Sequence, residues 1–215
     1  MDLIKPNVEK WRLKDWLTHC PLVAILRGIR PDEAEAIVSV IEQAGIAIVE
    51  VPLNSPDPLT SIARLQARFG DRMLIGAGTV MTAKGVEAVR DAGGRLIVSP
   101  HAATDVVRAA KSHGLFSCPG FATPTEAFAC LDAGADALKL FPAEASSPTI
   151  LRAMRAVLPP GTLVLPVGGI GADNMAPWRA AGAAGFGIGS QLYAPGDTPE
   201  TVAVKARLLM AGVTG

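Results

Sequence analysis

The chain has 215 residues, of which 49% are hydrophobic, and its 20 Lys and Arg balance its 20 Asp and Glu for a formal net charge of zero. That length fits one large domain or two small ones, and the charge balance lacks the basic excess of a nucleic-acid binder. No run of about 18 apolar residues is present, so no membrane-spanning helix is expected. Met1 to Lys14 lacks the apolar centre of a signal peptide, which points to the cytoplasm.

Val8 to His19 places Trp11, Leu13, Trp16 and Leu17 at helical spacing, so an amphipathic helix is predicted there. A rhythm then begins. Leu22 to Leu26 is a short apolar run ending in Arg27-Gly28. Pro31-Asp32-Glu33 opens a helix to about Ala44, with Ala34, Ile37, Val38 and Ile41 on one face and Gly45 as the stop. The same unit recurs. Strands are predicted over Ile46 to Leu53, Met73 to Ala77, Arg95 to Ser99, Leu115 to Cys118, Ala137 to Phe141, Leu163 to Val167 and Gly185 to Gly189. Helices follow them over about Asp57 to Arg68, Thr82 to Ala92, Thr104 to His113, Thr123 to Ala133, Ser147 to Val157, Ala172 to Ala181 and Thr198 to Ala211. Short, almost uniformly apolar strands alternating with helices indicate a parallel sheet covered on both faces. Eight such units predict an α/β fold closed as a (β/α)8 TIM barrel, with an extra N-terminal helix. An open doubly wound sheet is the alternative. No linker composition appears, so residues 1–20 are read as a helical segment and residues 21–215 as one catalytic barrel domain.

The three cysteines, Cys20, Cys118 and Cys130, are widely spaced and read as free buried thiols. His19, His101 and His113 form no metal-binding pattern, and no metal is expected.

In a barrel the site lies where the strands end. Those ends read Arg27, Glu50, Thr79, Ser99-Pro100, Pro119-Gly120, Lys139, Gly168-Gly169 and Gly189-Ser190. Lys139 sits in an apolar strand, where an ammonium is costly to desolvate. It is either a member of a buried ion pair or a neutral amine able to attack a carbonyl. Glu50, in the strand body Ala47 to Pro52, is either its salt-bridge partner or a proton donor and acceptor tuned by burial. Arg27 offers a bidentate grip on a carboxylate, with a pair to Glu50 or Asp32 as the plainer alternative. Thr79 adds a hydroxyl and an N–H. The glycines after the seventh and eighth strands allow close approach of an anion, where barrels often bind phosphate; tight turns would use them too. The expected substrate has an anion at each end and a carbonyl near the lysine.

At this level of detail the chain resembles a known family. Ala24 to Gly28, Val49 to Pro56, Ile75 to Val80, Leu138 to Pro142 and Val167-Gly168-Gly169 look like the pyruvate-dependent class I aldolases of the KDPG/KHG family, which cleave 2-keto-3-deoxy-6-phosphosugar acids. The resemblance spans about residues 21 to 210. Asn54-Ser55, Val167 and Arg27 resemble its galactonate branch more than its gluconate branch. The resemblance implies cleavage of 2-dehydro-3-deoxy-6-phosphogalactonate to pyruvate and glyceraldehyde 3-phosphate, in galactonate catabolism, by a homotrimer without a cofactor. It makes Lys139 the imine-forming lysine and Glu50 the proton carrier. Arg27 and Thr79 would hold the pyruvate carboxylate, and Gly168, Gly169, Gly189 and Ser190 the phosphate. Val167, with Asn54 and Ser55, would mark substrate specificity. The gluconate epimer, a phosphosugar isomerase or epimerase without imine chemistry, and a non-catalytic phosphosugar-binding protein remain the competing expectations.

Overall fold

A computed structural model of the chain describes residues 10–214. The first helix, α1 (Leu13–His19), is shorter than the predicted Val8 to His19. Trp11 and Arg12 precede it outside the helix, Arg12 in extended backbone, and residues 8 and 9 lie outside the described part. After it, β1 (Leu22–Ile25), α2 (Pro31–Gln43), β2 (Ile48–Pro52), α3 (Pro58–Phe69), β3 (Leu74–Gly78), α4 (Ala83–Asp91), β4 (Leu96–Val98) and α5 (Thr104–Ser112) alternate. The second half runs β5 (Phe116–Cys118), β6 (Gly120–Phe121), α6 (Pro124–Asp132), β7 (Leu138–Leu140), α7 (Pro148–Arg155), β8 (Val164–Pro166), α8 (Met175–Ala180), β9 (Phe186–Ile188) and α9 (Pro199–Thr214). A 3-10 turn, Ala143–Ala145, lies between β7 and α7.

Local chemistry sets these boundaries. Proline begins α2, α3, α6 and α7, where its fixed φ suits the first turn and its missing N–H has no intrahelical partner to lose. Thr82, Thr123 and Ser147 cap α4, α6 and α7 through their hydroxyls, and Glu126 returns a bond to Thr123 to complete a capping box. The buried face of α2 is Ala34, Ile37, Val38 and Ile41, the stripe read from the sequence.

Every strand pairing is parallel. One run has the order β5-β4-β3-β2-β1-β9 and the other β6-β7-β8. Where eight strands were expected there are nine segments, because Pro119 splits one of them. Proline has no N–H to give to a ladder, but the Pro119 carbonyl still accepts a bond from Lys139 N at 2.8 Å. The chain therefore passes straight from β5 to β6, joining the two runs at one edge. At the other edge a parallel bridge pairs Val167 with Gly187, and Ala184 N donates to Val164 O at 2.9 Å. The registers Ile25↔Glu50 and Lys139↔Leu165 set the strand ends level across the sheet.

The strand interiors are fully buried, in keeping with a parallel sheet under helices. Helix α1 packs at the N-terminal end of the strands, where Leu17 approaches Gly185 just before β9. Leu13 points into the strand interior beside Val23, Leu96 and Leu165. Trp11 packs edge-on against the buried Trp16, with ring centroids 4.8 Å apart. None of the helices among the described residues is long and apolar enough to cross a membrane.

Candidate active site

β7 puts Lys139 into the interior with only 6% of its surface exposed, and β2 does the same for Glu50 at 2%. Both line one cavity with Ile25, Val98, Cys118, Leu165 and Val167. Apolar walls disfavour both charges, so the two groups shift toward neutrality. Burial pulls the Lys139 ammonium below its ordinary 10.5, against the opposing pull of Glu50 and with some help from Arg27. Burial raises the Glu50 carboxyl to about 7, although Lys139, Arg27 and the Gly78 backbone pull it down. Among the described residues no salt bridge joins Glu50 to Lys139, and Glu50 Oε2 has no hydrogen-bond partner. The buried ion pair, one of the two alternatives read for these residues, is not formed; the two groups line one cavity, and Glu50 is left partly unsatisfied. The Lys139 Nζ lies 4.5 Å from the Phe141 ring centroid, a cation–π contact available to the protonated form. Cys118 is a free buried thiol pushed up to about 12, so it stays protonated and unreactive.

Gly78 ends β3 against Glu50. A Cβ built there would fall 2.0 Å from Glu50 Oε2, so only glycine leaves room for the carboxylate. Thr79 follows at φ 56, a left-handed conformation that is strained for a β-branched residue.

Arg27 leaves β1 and is held by Asn54, whose Oδ1 accepts from Nη1 at 2.7 Å. The alternatives read from the sequence, Glu50 or Asp32, are not its partners, and Asp32 pairs with Arg30 instead. The Ser55 hydroxyl accepts from Gly28 N at 2.9 Å. Asn54 and Ser55 thus brace the Arg27–Gly28 corner from the end of β2.

A second cleft, with about 580 Å³ of open space, adjoins the first. Arg27, Lys139, Val167, Gly168, Gly169, Gly189 and Ser190 converge on it from β1, β7, β8 and β9. Gly168 and Gly169 adopt φ 108 and 64, conformations suited to glycine. The backbone N–H groups of Gly168, Gly169, Gly189 and Ser190 make no hydrogen bond among the described residues, so they remain open to an anion. Val167 sits between the two cavities and lines both. Glu50 belongs to the deeper cavity, while Asn54, Ser55 and Thr79 line neither. Among the described residues no group of three or more His, Cys, Asp or Glu side chains is placed to hold a metal ion.

The family model for KDPG and KHG aldolase matches residues 13–204. The chain belongs to the KDPG and KHG aldolase family. A 2-dehydro-3-deoxy-6-phosphogalactonate aldolase of Escherichia coli K12 is 48% identical over 191 residues, spanning 89% of this chain and 93% of that relative. A solved structure described as native KDPGal superposes with a TM-score of 0.89 at 46% identity, over 90% of this chain and 94% of that one. A KDPG aldolase from Legionella pneumophila, with pyruvate captured at low pH as a covalent carbinolamine intermediate, superposes at 0.82 with 27% identity, over 94% of this chain and 98% of that one.

The aldolase also brings residues to the site that the sequence reading passed over. Phe141, Glu144 and Gln191 line the outer cleft, and Cys118 the inner cavity. Each sits at or just beyond a strand end, within a few residues of a group that was singled out. Position could have found them. Residue type did not, since a phenylalanine, an exposed glutamate and a lone cysteine carry no signal by themselves.

Proposed function

We infer that this aldolase cleaves 2-dehydro-3-deoxy-6-phospho-D-galactonate to pyruvate and D-glyceraldehyde 3-phosphate through an imine on Lys139. The observation that carries this is the burial of Lys139 and Glu50 around one apolar cavity, each shifted toward its neutral form without a salt bridge between them. A neutral amine is the nucleophile that imine formation needs, and a carboxyl near 7 can both take and return a proton.

The Lys139 amine attacks the substrate C2 carbonyl, and the carbinolamine loses water to give an iminium. Glu50 takes the proton of the C4 hydroxyl, directly or through a water. The C3–C4 electron pair moves into the iminium, which becomes an enamine as the C4 hydroxyl becomes the aldehyde of glyceraldehyde 3-phosphate. The proton returns to C3, and water hydrolyses the iminium, releasing pyruvate and the free amine. The iminium is itself the electron sink, so the route requires no cofactor.

Arg27 would clamp the C1 carboxylate, with Thr79 beside it, and the open N–H groups of Gly168, Gly169, Gly189 and Ser190 would receive the phosphate. Val167, next to Lys139, would face the carbon whose configuration separates the galactonate and gluconate epimers, and Asn54 and Ser55 would act with Arg27. We read the parallel strands as a (β/α)8 barrel, residues 21–215, behind an N-terminal helical segment. The links at both edges of the two strand runs support closure. Closure also puts β2 and β7 opposite each other, four strands apart in either direction once β5 and β6 count as one, which is how their side chains come to share a cavity. The working form would be a cytoplasmic homotrimer.

The test is covalent trapping. Incubation with pyruvate and borohydride should add a reduced adduct to Lys139, located by mass spectrometry, and Lys139→Met should abolish both adduct and cleavage while remaining folded. A Lys139→Met protein that still cleaves substrate, or an adduct on another lysine, would sink the reading. Absence of any adduct would favour an isomerase or epimerase using Glu50 as a base. Assay of both epimers by pyruvate release should favour the galactonate form.

A further inference from the structure

Among the described residues Glu144 is the one acidic group lining the outer cleft, Glu50 belonging to the deeper cavity. Its backbone is held in the Ala143–Ala145 turn, where Ala143 N donates to Val167 O at 2.9 Å. Its side chain reaches back over the glycine loop. A Cβ at Gly168 would meet Glu144 Oε2 at 2.0 Å, and one at Gly169 would meet its Cγ at 2.8 Å. The carboxylate thus fills the hollow left by the two missing side chains. It makes no hydrogen bond or ion pair among the described residues, and it is exposed, so no partner has to be broken for it to move.

An anion binding at these glycines meets neutral N–H groups and a negative side chain. The cationic groups of the cleft wall are Arg27, tied to Asn54, and Lys139. We propose that Glu144 is an internal competitor for the phosphate position: it rests on the Gly168–Gly169 cradle in the empty enzyme and must swing away before a phosphorylated substrate can settle. It tunes the affinity for the phosphate end downward, which eases release of the phosphorylated aldehyde. This rests on the proposed placement of the phosphate at the glycine loops. Two like charges a few ångströms apart in a wet cleft repel by roughly 1 kcal/mol, which corresponds to about a fivefold change in affinity.

The test uses inorganic phosphate as a competitive inhibitor of cleavage, together with KM for the phosphorylated substrate, in the parent protein, Glu144→Gln and Ser190→Glu. Glu144→Gln should lower the phosphate inhibition constant and KM by about fivefold. Glu144→Ala should act in the same direction should the Gln variant not fold. Ser190→Glu, which adds a charge at the facing loop, should raise both constants. If Ser190→Glu leaves them unchanged, the phosphate does not sit at these loops and both ideas fall. If Ser190→Glu acts as expected but Glu144→Gln leaves them unchanged, the competitor role alone is overturned. A rise on Glu144→Gln overturns it as well and makes Glu144 an acceptor for a substrate hydroxyl.

Discussion

Asn54 forms no part of either cavity wall, yet its Oδ1 fixes the Arg27 guanidinium at 2.7 Å. Without it, a long exposed arginine has many rotamers and must be ordered at each binding event. Asn54 is therefore a positioning residue. Asn54→Ala should raise KM for substrate by about three- to tenfold, the range expected for one exposed charge-assisted hydrogen bond, with kcat little changed. A fall in kcat at constant KM would contradict this role. The unpaired Oε2 of Glu50 has a kinetic signature too. With its carboxyl raised to about 7, the base form accumulates only as pH rises through that value, so kcat/KM should climb on an acid limb near pH 7. A profile already level at about pH 5 would show that the carboxyl keeps its ordinary acidity in the working enzyme.

The strand–helix rhythm was legible because parallel strands are uniformly apolar and each helix is punctuated by a cap, a proline or a glycine. Lys139, Glu50 and the glycine pairs stood out because they interrupt that pattern. What escaped depends on contacts between distant elements. β6 was missed because Pro119-Gly120 reads as a turn, whereas one missing N–H interrupts only one side of a ladder. Helix α1 starts later than the spacing predicts, since Trp11 serves the helix from outside it by packing edge-on against Trp16. Nor could spacing say what α1 packs against. Leu13 reaches from it into the strand interior and lines the cavity that holds Lys139 and Glu50. Leu13→Ala should open a void there and cost about 2–4 kcal/mol of unfolding free energy in urea titrations. A loss under about 0.5 kcal/mol, the size of a surface change, would show that α1 does not floor the interior.

At the scale of the molecule, the burial of Glu50 and Lys139 around one apolar cavity is a standing destabilisation that the rest of the core must offset. The signs can be worked out. Folded Glu50 keeps its proton up to about pH 7, whereas an unfolded glutamate releases it near 4.5. Its contribution to stability is therefore fully present below about 4.5 and is lost as pH rises through about 7. Lys139 runs the other way. Its folded value lies below 10.5, so its contribution is present above that value and is lost as pH falls through the lowered one. Wherever the carboxylate and the ammonium are both charged, they sit in apolar surroundings without the direct ion pair that would compensate them. Glu50→Gln removes one of these charges while keeping its shape. Its advantage over the parent should be near zero at about pH 4.5 and should grow to roughly 3 kcal/mol by about pH 8, from the rise of the carboxyl to about 7. Urea unfolding of both proteins at the two pH values reads this group together with the Lys139 titration that is coupled to it. An equal or lower stability of Glu50→Gln at about pH 8 would mean that the cavity already solvates the carboxylate, and burial as the cause of its raised affinity for a proton would fall with it.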